Sequence, residues 1–183
     1  ISYHLRQRKL TVQTMATLEV HQFPCLSDNY GYLIHDPETG VTATIDTPEV
    51  AGVNAALAEK SWTLTHILNT HHHFDHAGGN LELKKQWNCL IVGSRDDADR
   101  IPGIDVKVGD GDNYQFGSHE AHVFDVSGHT IGHIAYYCPD AEKLCCGDAI
   151  CALECGRLCE GSPAQMWTRQ QKLAALPDET GVY

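Results

Sequence analysis

The chain has 183 residues, of which 42% are hydrophobic and 20% are charged, and its formal net charge is −11. This length is typical of one domain that buries roughly 70% of its unfolded surface. The acidic balance argues against a nucleic-acid surface, which would show clustered basic residues. No apolar run approaches the roughly 20 residues of a membrane span, so we expect one globular domain without nucleic-acid or membrane partners.

The two ends of the chain differ from the middle. Residues 1–14 contain basic side chains and no acid, which is typical of the tail of an organelle transit peptide and equally of a translated upstream stretch. We predict an extension of unclear origin over 1–14 and a domain over 15–183. Val182 and Tyr183 have the composition of a strand that is just beginning, so we expect the domain to be incomplete.

The first part of the domain is predicted to begin with a three-stranded meander and to continue with alternating helices and strands. Helices are predicted over 48–60, with Thr47 as the cap, and over 80–87. The predicted strands, rich in apolar, β-branched and aromatic residues between polar turns, cover residues 18–23, 30–35, 41–46, 67–68 and 90–92.

From Val106 onward the pattern changes to short strands divided by Gly-Asp or Pro-Asp turns, which predicts an antiparallel series. A last helix is predicted over 163–175, with Ser162 as its cap. These predicted strands cover residues 106–108, 113–116, 121–126, 134–137 and 143–146. Together the elements favour an α+β fold, with sheets packed together and helices outside, over a doubly wound parallel sheet.

A run of four histidines and one aspartate within six positions follows the strand predicted at 67–68. Borderline metals such as zinc bind imidazole nitrogen and carboxylate oxygen. His71, His73 and Asp75 recur at a spacing of two, so they would share one side of an extended chain, and His76 follows directly. The run therefore predicts a metal site.

Two later loops carry side chains of the same kind, each where a predicted strand ends. His129 and His133 follow one strand, and Asp148 follows another. Taken alone, these would be ordinary surface or packing residues. Beside the first run, His129 is expected to be a ligand, and Asp148 becomes a candidate bridge between two metals. His133 and His72 are expected to pack around the ligands or to orient them.

The motifs T-H-x-H-x-D-H-x-G-G-N, G-H-T-x-G-H and G-D, with C-G-R and E-G after them, resemble the metallo-β-lactamase superfamily. Within it they resemble the glyoxalase II branch, the hydroxyacylglutathione hydrolases, as do the segment 28–34 and the loop 155–161. The similarity covers residues 15–183. It implies a four-layer αββα sandwich that lacks the last part of its second half and the C-terminal helical region.

The resemblance implies two divalent metal ions, zinc in the first place, with iron or manganese as alternatives. The implied ligands are His71, His73 and His129 for one ion, Asp75 and His76 for the other, and Asp148 as the bridge. No catalytic group is expected beyond a metal-bound hydroxide, which would attack the thioester carbonyl of S-2-hydroxyacylglutathione, such as S-D-lactoylglutathione.

Substrate contacts are also implied by the resemblance. Arg157 would contact a carboxylate of glutathione, and Cys159 stands where an aromatic residue normally lines the glutathione pocket. Glu154 replaces a usual glycine, and Ala149-Ile150-Cys151 replaces Thr-Leu-Phe. These departures bear on substrate affinity more than on metal binding.

Three alternatives are weighed against the hydrolase. A persulfide dioxygenase would use one iron held by two histidines and an aspartate, and the fuller ligand set with the C-G-R-L loop favours the hydrolase. A β-lactamase would leave the glutathione-branch loops without a role. A truncated, non-catalytic metal-binding domain is the third, because the family's further histidine, in a C-G-H-E-Y motif, would come after Tyr183. Residues 1–183 are accordingly expected to be weakly active or inactive.

The chain has eight cysteines, five of them between 145 and 159. Without a recognisable signal peptide they are expected to be mostly reduced thiols rather than a disulfide framework. We predict a cytoplasmic monomer that acts on a small-molecule glutathione thioester, or a mitochondrial one if 1–14 is the end of a transit peptide.

Overall fold

The computed structural model describes residues 17–27, 29–151 and 154–183. The extension predicted over 1–14 and the aspartate at position 28 of the hairpin motif lie outside the described residues. Two sheets and four helices make up the described part of the chain.

The first sheet contains six strands, which lie side by side in chain order. They are β1 (Glu19–Cys25), β2 (Asn29–His35), β3 (Thr42–Ile45), β4 (His66–Leu68), β5 (Leu90–Ser94) and β6 (Val106–Val108). The first three strands pair antiparallel, which confirms the predicted meander, and β3 to β6 pair in parallel.

The prediction that Val106–Val108 opens the antiparallel series is wrong, because this strand joins the first sheet. Asp105 holds it there: its amide donates to the carbonyl of Ile91 at 2.8 Å, and its side chain accepts from the amide of Ile91 at 2.9 Å. A strand of three residues carries no information about the direction of its partner strand, so the sequence pattern could not place it.

Three helices follow strands of the first sheet: α1 (Val50–Lys60), α2 (Phe74–Ala77) and α3 (Asn80–Trp87). The outer face of the sheet is buried under α1 and α3, whose core residues include Val53, Leu57 and Leu83, packed with Phe23, Leu33, Ile67 and Ile91. The single turn α2 was not predicted, since four residues are too few to show helical periodicity.

Thr47 does not cap α1, contrary to the prediction. The cap position is Glu49, whose side chain makes no capping hydrogen bond. The buried Thr47 hydroxyl instead donates to Oδ1 of Asn80 at 2.8 Å. A buried hydroxyl gains more by pairing with another buried polar group than by capping a helix whose first turn is accessible to water.

The second sheet contains five strands: β7 (Asn113–Phe116), β8 (His119–Asp125), β9 (Ile134–Cys138), β10 (Lys143–Cys145) and β11 (Gly181–Val182). Their order in the sheet is β11-β10-β9-β8-β7. Strands β7 to β10 pair antiparallel and β11 pairs with β10 in parallel. Helix α4 (Pro163–Leu173) covers the outer face through Leu173, and Ser162 caps it in a capping box, as predicted.

The two sheets pack face to face around the largest core cluster, which contains Ile34, Ile45, Leu68 and Val92 of the first sheet and Phe116, Val123 and Tyr136 of the second. With α1 and α3 on one outside face and α4 on the other, the layers run helix, sheet, sheet, helix. This confirms the predicted α+β sandwich.

Asp36 joins the two sheets at one end of the sandwich. It follows β2, and its Oδ2 accepts from the amide and the hydroxyl of Ser118, in the turn between β7 and β8, at 2.7 and 2.9 Å. Thr39 and Glu38 donate to the same carboxylate. Burial opposes ionisation of Asp36, but these hydrogen bonds outweigh it and hold the pKa well below its ordinary value.

Replacing Asp36 with Asn is expected to destabilise the fold by about 2 kcal/mol at neutral pH, since hydrogen bonds to an ionised group are the stronger kind. The folded pKa of Asp36 is depressed, so its contribution is complete above the unfolded pKa of about 3.9 and is lost as the pH falls through the folded value. Urea unfolding of both proteins from pH 7 to pH 3 should show the difference shrinking below about pH 4. Asp99→Asn, at an exposed aspartate, is the control. If the difference in unfolding free energy between the wild-type and Asp36→Asn proteins did not depend on pH, the ionised Asp36 carboxylate would not be its source.

Candidate metal centre

The predicted site residues lie at the end of the sandwich opposite Asp36. They belong to segments that follow three strands: the loop after β4, the loop after β8, and the segment after β10 that begins with the short 3-10 turn Gly147–Ala149. The loop after β3, in the first sheet, ends beside them. Because these strands end at the same edge of the two sheets, their loops converge there.

Three of the predicted ligands meet directly. Nδ1 of His73 lies 3.2 Å from Nε2 of His71 and 3.0 Å from Nε2 of His129. His71 and His129 are buried, and His73 is half-buried. The structure therefore brings together histidines that are 58 residues apart in the chain, counted from His71 to His129.

The hydrogen bonds on the far side of two of these rings fix their tautomers. Nδ1 of His129 lies 2.5 Å from the carbonyl oxygen of Arg157, which can only accept. Nδ1 of His71 lies 3.0 Å from the hydroxyl of Thr70, whose own proton goes to Asp46. Both rings thus carry the proton on Nδ1 and present the lone pair of Nε2 to the centre, which is the state that binds a metal.

Asp148 lies between this trio and His76. Its Oδ1 is 3.2 Å from Nε2 of His76, and its Oδ2 is 3.3 Å from Nε2 of His129. One carboxylate thus faces both groups of predicted ligands with different oxygens. A carboxylate in this position can bridge two metal ions, one bound on each side of it.

Asp75 reaches the site by a route different from the one expected. The chain is not extended beyond His73, because α2 begins at Phe74, so the spacing of two does not place Asp75 beside His71 and His73. The helical turn brings its Oδ2 to 3.7 Å from Nε2 of His76, with the Asp75 side chain 55% exposed.

Sequence reasoning missed Asp46, which follows β3 and is buried. Its Oδ2 accepts from Nδ1 of His76 at 2.9 Å and from the Thr70 hydroxyl at 2.7 Å, and its Oδ1 accepts from the Thr70 amide at 2.7 Å. An aspartate at the end of an apolar strand was the available signal. Asp46 forms a close group with His71 and His76, but it binds the side of the His76 ring away from Nε2, so it orients that ring.

His72 and His133 lie beside the trio. His72 points away from it, with Nδ1 2.8 Å from Oδ2 of the buried Asp97. His133 is fully buried, and its ring stacks on His71 with the centroids 4.6 Å apart. Among the described residues neither nitrogen of His133 has a hydrogen-bond partner.

The pKa values of two histidines of the centre, His71 and His76, are shifted in opposite directions. Burial, followed by repulsion from His133, lowers the pKa of His71, so this ring is neutral. Burial also opposes charge on His76, but hydrogen bonds with Asp148 and Asp46 raise its pKa to about 10. Burial would raise the pKa of Asp148, and the contact with His76 lowers it to about 2. The neutral ring of His71 and the ionised carboxylate of Asp148 suit a divalent cation, whereas His76 would release the proton on Nε2 when a metal binds.

The predicted substrate residues lie on the His129 side. Arg157 and Cys159 are exposed, and Sγ of Cys159 is 3.9 Å from Nδ1 of His129. On the other side, a cleft of about 690 Å³ opens onto His76 and Asp148 and is also lined by Tyr30, Tyr32, Pro48 and Tyr183.

All eight cysteines have free thiols, and five of them are buried.

The model of the metallo-β-lactamase superfamily matches residues 38–180. The chain belongs to this superfamily. The match spans both halves of the sandwich and every predicted ligand, so the predicted family is confirmed. The family and the buried histidine–aspartate cluster together indicate that the chain binds divalent metal ions.

The relatives of this superfamily member include curated hydroxyacylglutathione hydrolases. It is 52% identical to the one from Maricaulis maris, over 92% of this chain and 66% of that protein, and 53% identical to the one from Methylococcus capsulatus, over 91% and 65%. The chain thus spans just under two thirds of the length of these relatives. The crystal structure of ETHE1 from Myxococcus xanthus is similar, with a TM-score of 0.79, 32% identity, and coverage of 90% of this chain and 74% of that one.

No helix among residues 17–27, 29–151 and 154–183 has the length and apolar character needed to cross a membrane.

Proposed function

We propose that this chain carries the metal centre of a thioester hydrolase that cleaves S-2-hydroxyacylglutathione, such as S-D-lactoylglutathione, to glutathione and a 2-hydroxy acid. The observation that supports it most is the position of Asp148, which faces His76 with one oxygen and His129 with the other. About 50% identity to hydroxyacylglutathione hydrolases supports the substrate class.

In this proposal His71, His73 and His129 would hold one ion, Asp75 and His76 would hold the other, and Asp148 would be shared. Two divalent ions, zinc by preference, would lower the pKa of a shared water toward 7 and polarise the thioester carbonyl. The carbonyl of Arg157 and the carboxylate of Asp46 keep the protons of His129 and His76 on Nδ1. No protein acid is required, because a thiolate is a good leaving group.

Residues on two sides of the centre could contact different parts of the substrate. The cleft beside His76 is lined by tyrosines that could contact the acyl group. The exposed side chain of Arg157, on the other side of the centre, could pair with a carboxylate of glutathione, next to Cys159. The monomeric state and the cytoplasmic location stay predictions.

The test is the release of thiol from S-D-lactoylglutathione by the metal-loaded protein, followed with a thiol reagent, with Asp148→Ala as the inactive control. Metal-dependent thiol release that is absent in the variant would support the proposal, even when the rate is low. Oxygen uptake with glutathione persulfide and one iron per chain would instead support a dioxygenase. Tight metal binding without turnover of either substrate would favour a non-catalytic metal-binding domain.

A further inference from the structure

Residues 157–161, called here the strap, run alongside the loop that carries His129. Nδ1 of His129 donates to the carbonyl of Arg157, while the amides of Cys159 and Glu160 donate to the carbonyl of His129 at 3.2 and 3.3 Å. The strap thus contacts both the ring and the main chain of this proposed ligand.

The strap fits closely against this loop at its other end. The amide of Gly161 donates to the carbonyl of Gly128 at 3.1 Å, and a Cβ on Gly161 would lie 2.8 Å from the Cα of Gly128. A side chain at position 161 would push the strap away from the loop. The position of the strap is therefore coupled to the position of His129.

Glu160 connects the strap to two other parts of the molecule. Its Oε2 accepts from the amide of Ile131 at 2.8 Å, on the same loop as His129. Its two oxygens also accept from the guanidinium of Arg100 at 2.5 and 3.2 Å. Arg100 in turn binds Oδ1 of Asp97, whose other oxygen binds His72.

We propose that Glu160, held by Arg100, is a positioning residue for His129. By fixing the strap, it keeps the carbonyl of Arg157 on Nδ1 of His129 and so directs Nε2 toward His73. This inference rests on the proposed metal centre, in which His129 is a ligand.

If the ion pair between Arg100 and Glu160 had only a structural role, its loss would change the stability of the fold and not the affinity for metal. Arg100 and Glu160 are partly exposed, with side chains 40% and 26% accessible, and such an ion pair contributes only about 0–1 kcal/mol to stability. Loss of a partner that orients a ligating histidine typically weakens metal affinity about 10–100-fold. The proposal therefore expects a large effect on metal affinity and a small one on unfolding.

The experiment measures Co²⁺ affinity by competition with a chromophoric chelator, together with the Co²⁺ absorption spectrum. All variants carry Asp75→Ala, which removes an exposed ligand of the other proposed ion, so that the titration reports on the trio. Glu160→Ala is expected to bind Co²⁺ about 10-fold more weakly, with an altered spectrum. Glu160→Gln keeps an acceptor for the amide of Ile131 and should recover part of the loss. Arg95→Ala, which removes an exposed ion pair with Asp112, should change neither.

The outcomes separate the two proposals. If neither the unsubstituted protein nor the Asp75→Ala protein binds Co²⁺, the proposed metal centre fails, and the inference fails with it. If only the unsubstituted protein binds Co²⁺, the same Glu160 variants are compared without Asp75→Ala. If the Glu160→Ala protein binds Co²⁺ as well as the protein with Glu160 intact, and with the same spectrum, only the inference is overturned. If Glu160→Ala does not fold, Arg100→Ala and Glu160→Gln decide, and unchanged affinity and spectrum in both would overturn it.

Discussion

Asp148→Ala is expected to weaken the binding of divalent metal by at least about 100-fold, beyond the 10–100-fold cost typical of residues that only orient a ligand. In the proposed centre this carboxylate is the one group shared by both ions, so its removal costs each ion a ligand. It also leaves His76 and His129 without the negative charge that lies 3.2 and 3.3 Å from their Nε2 atoms.

The measurement is the number of tightly bound Zn²⁺ or Co²⁺ ions per chain, by competition titration and elemental analysis. Asp99→Ala removes an exposed carboxylate from another part of the surface and should leave the number and affinity of the ions as they are. Thermal unfolding of the metal-free proteins separates loss of binding from loss of fold. Equal affinity in the Asp148 and Asp99 variants would show that Asp148 is not a ligand.

Asp46→Ala is expected to destabilise the metal-free protein by about 3 kcal/mol or more. The substitution leaves three buried donors without an acceptor, the Thr70 amide, the Thr70 hydroxyl and Nδ1 of His76, and each costs about 1–3 kcal/mol when unsatisfied. It also removes the residue that orients His76, so metal affinity should fall as well.

Asp46→Asn provides the comparison. Asp46 has φ of 58°, a left-handed conformation that Asn adopts more readily than Ala. The amide keeps one acceptor oxygen, so this variant should lose less stability than Asp46→Ala in urea unfolding. A loss under about 1 kcal/mol for Asp46→Ala would mean that water replaces the carboxylate without cost.

Much of the centre could be predicted because its residues carry their chemistry in the chain itself. His71 to His76 form a dense local pattern, and His129 and Asp148 follow strands whose ends are readable from alternation and turn residues. Alternation and turn residues also predicted most of the strands, and helical periodicity with the Ser162 cap predicted α4. Local chemistry and local periodicity were sufficient for these features.

What could not be predicted depends on contacts between distant residues. Asp46 is one acidic residue among 24, and only the fold brings it under Thr70 and His76. The acceptor for His129 is a main-chain carbonyl at Arg157, which no side-chain motif can indicate. The direction of β6 was likewise decided by the pairing of Asp105 with Ile91 and not by its own three residues.

The proposed trio takes two ligands, His71 and His73, from a loop of the first sheet and one, His129, from a loop of the second. An ion bound there would be a cross-link between the sheets, at the end opposite the Asp36 junction. Its binding free energy would then count as folding free energy. Above saturation, each tenfold rise in the concentration of free metal would add about 1.4 kcal/mol per bound ion to the free energy of unfolding. The melting temperature would thus depend on the metal content of the cell as well as on the sequence.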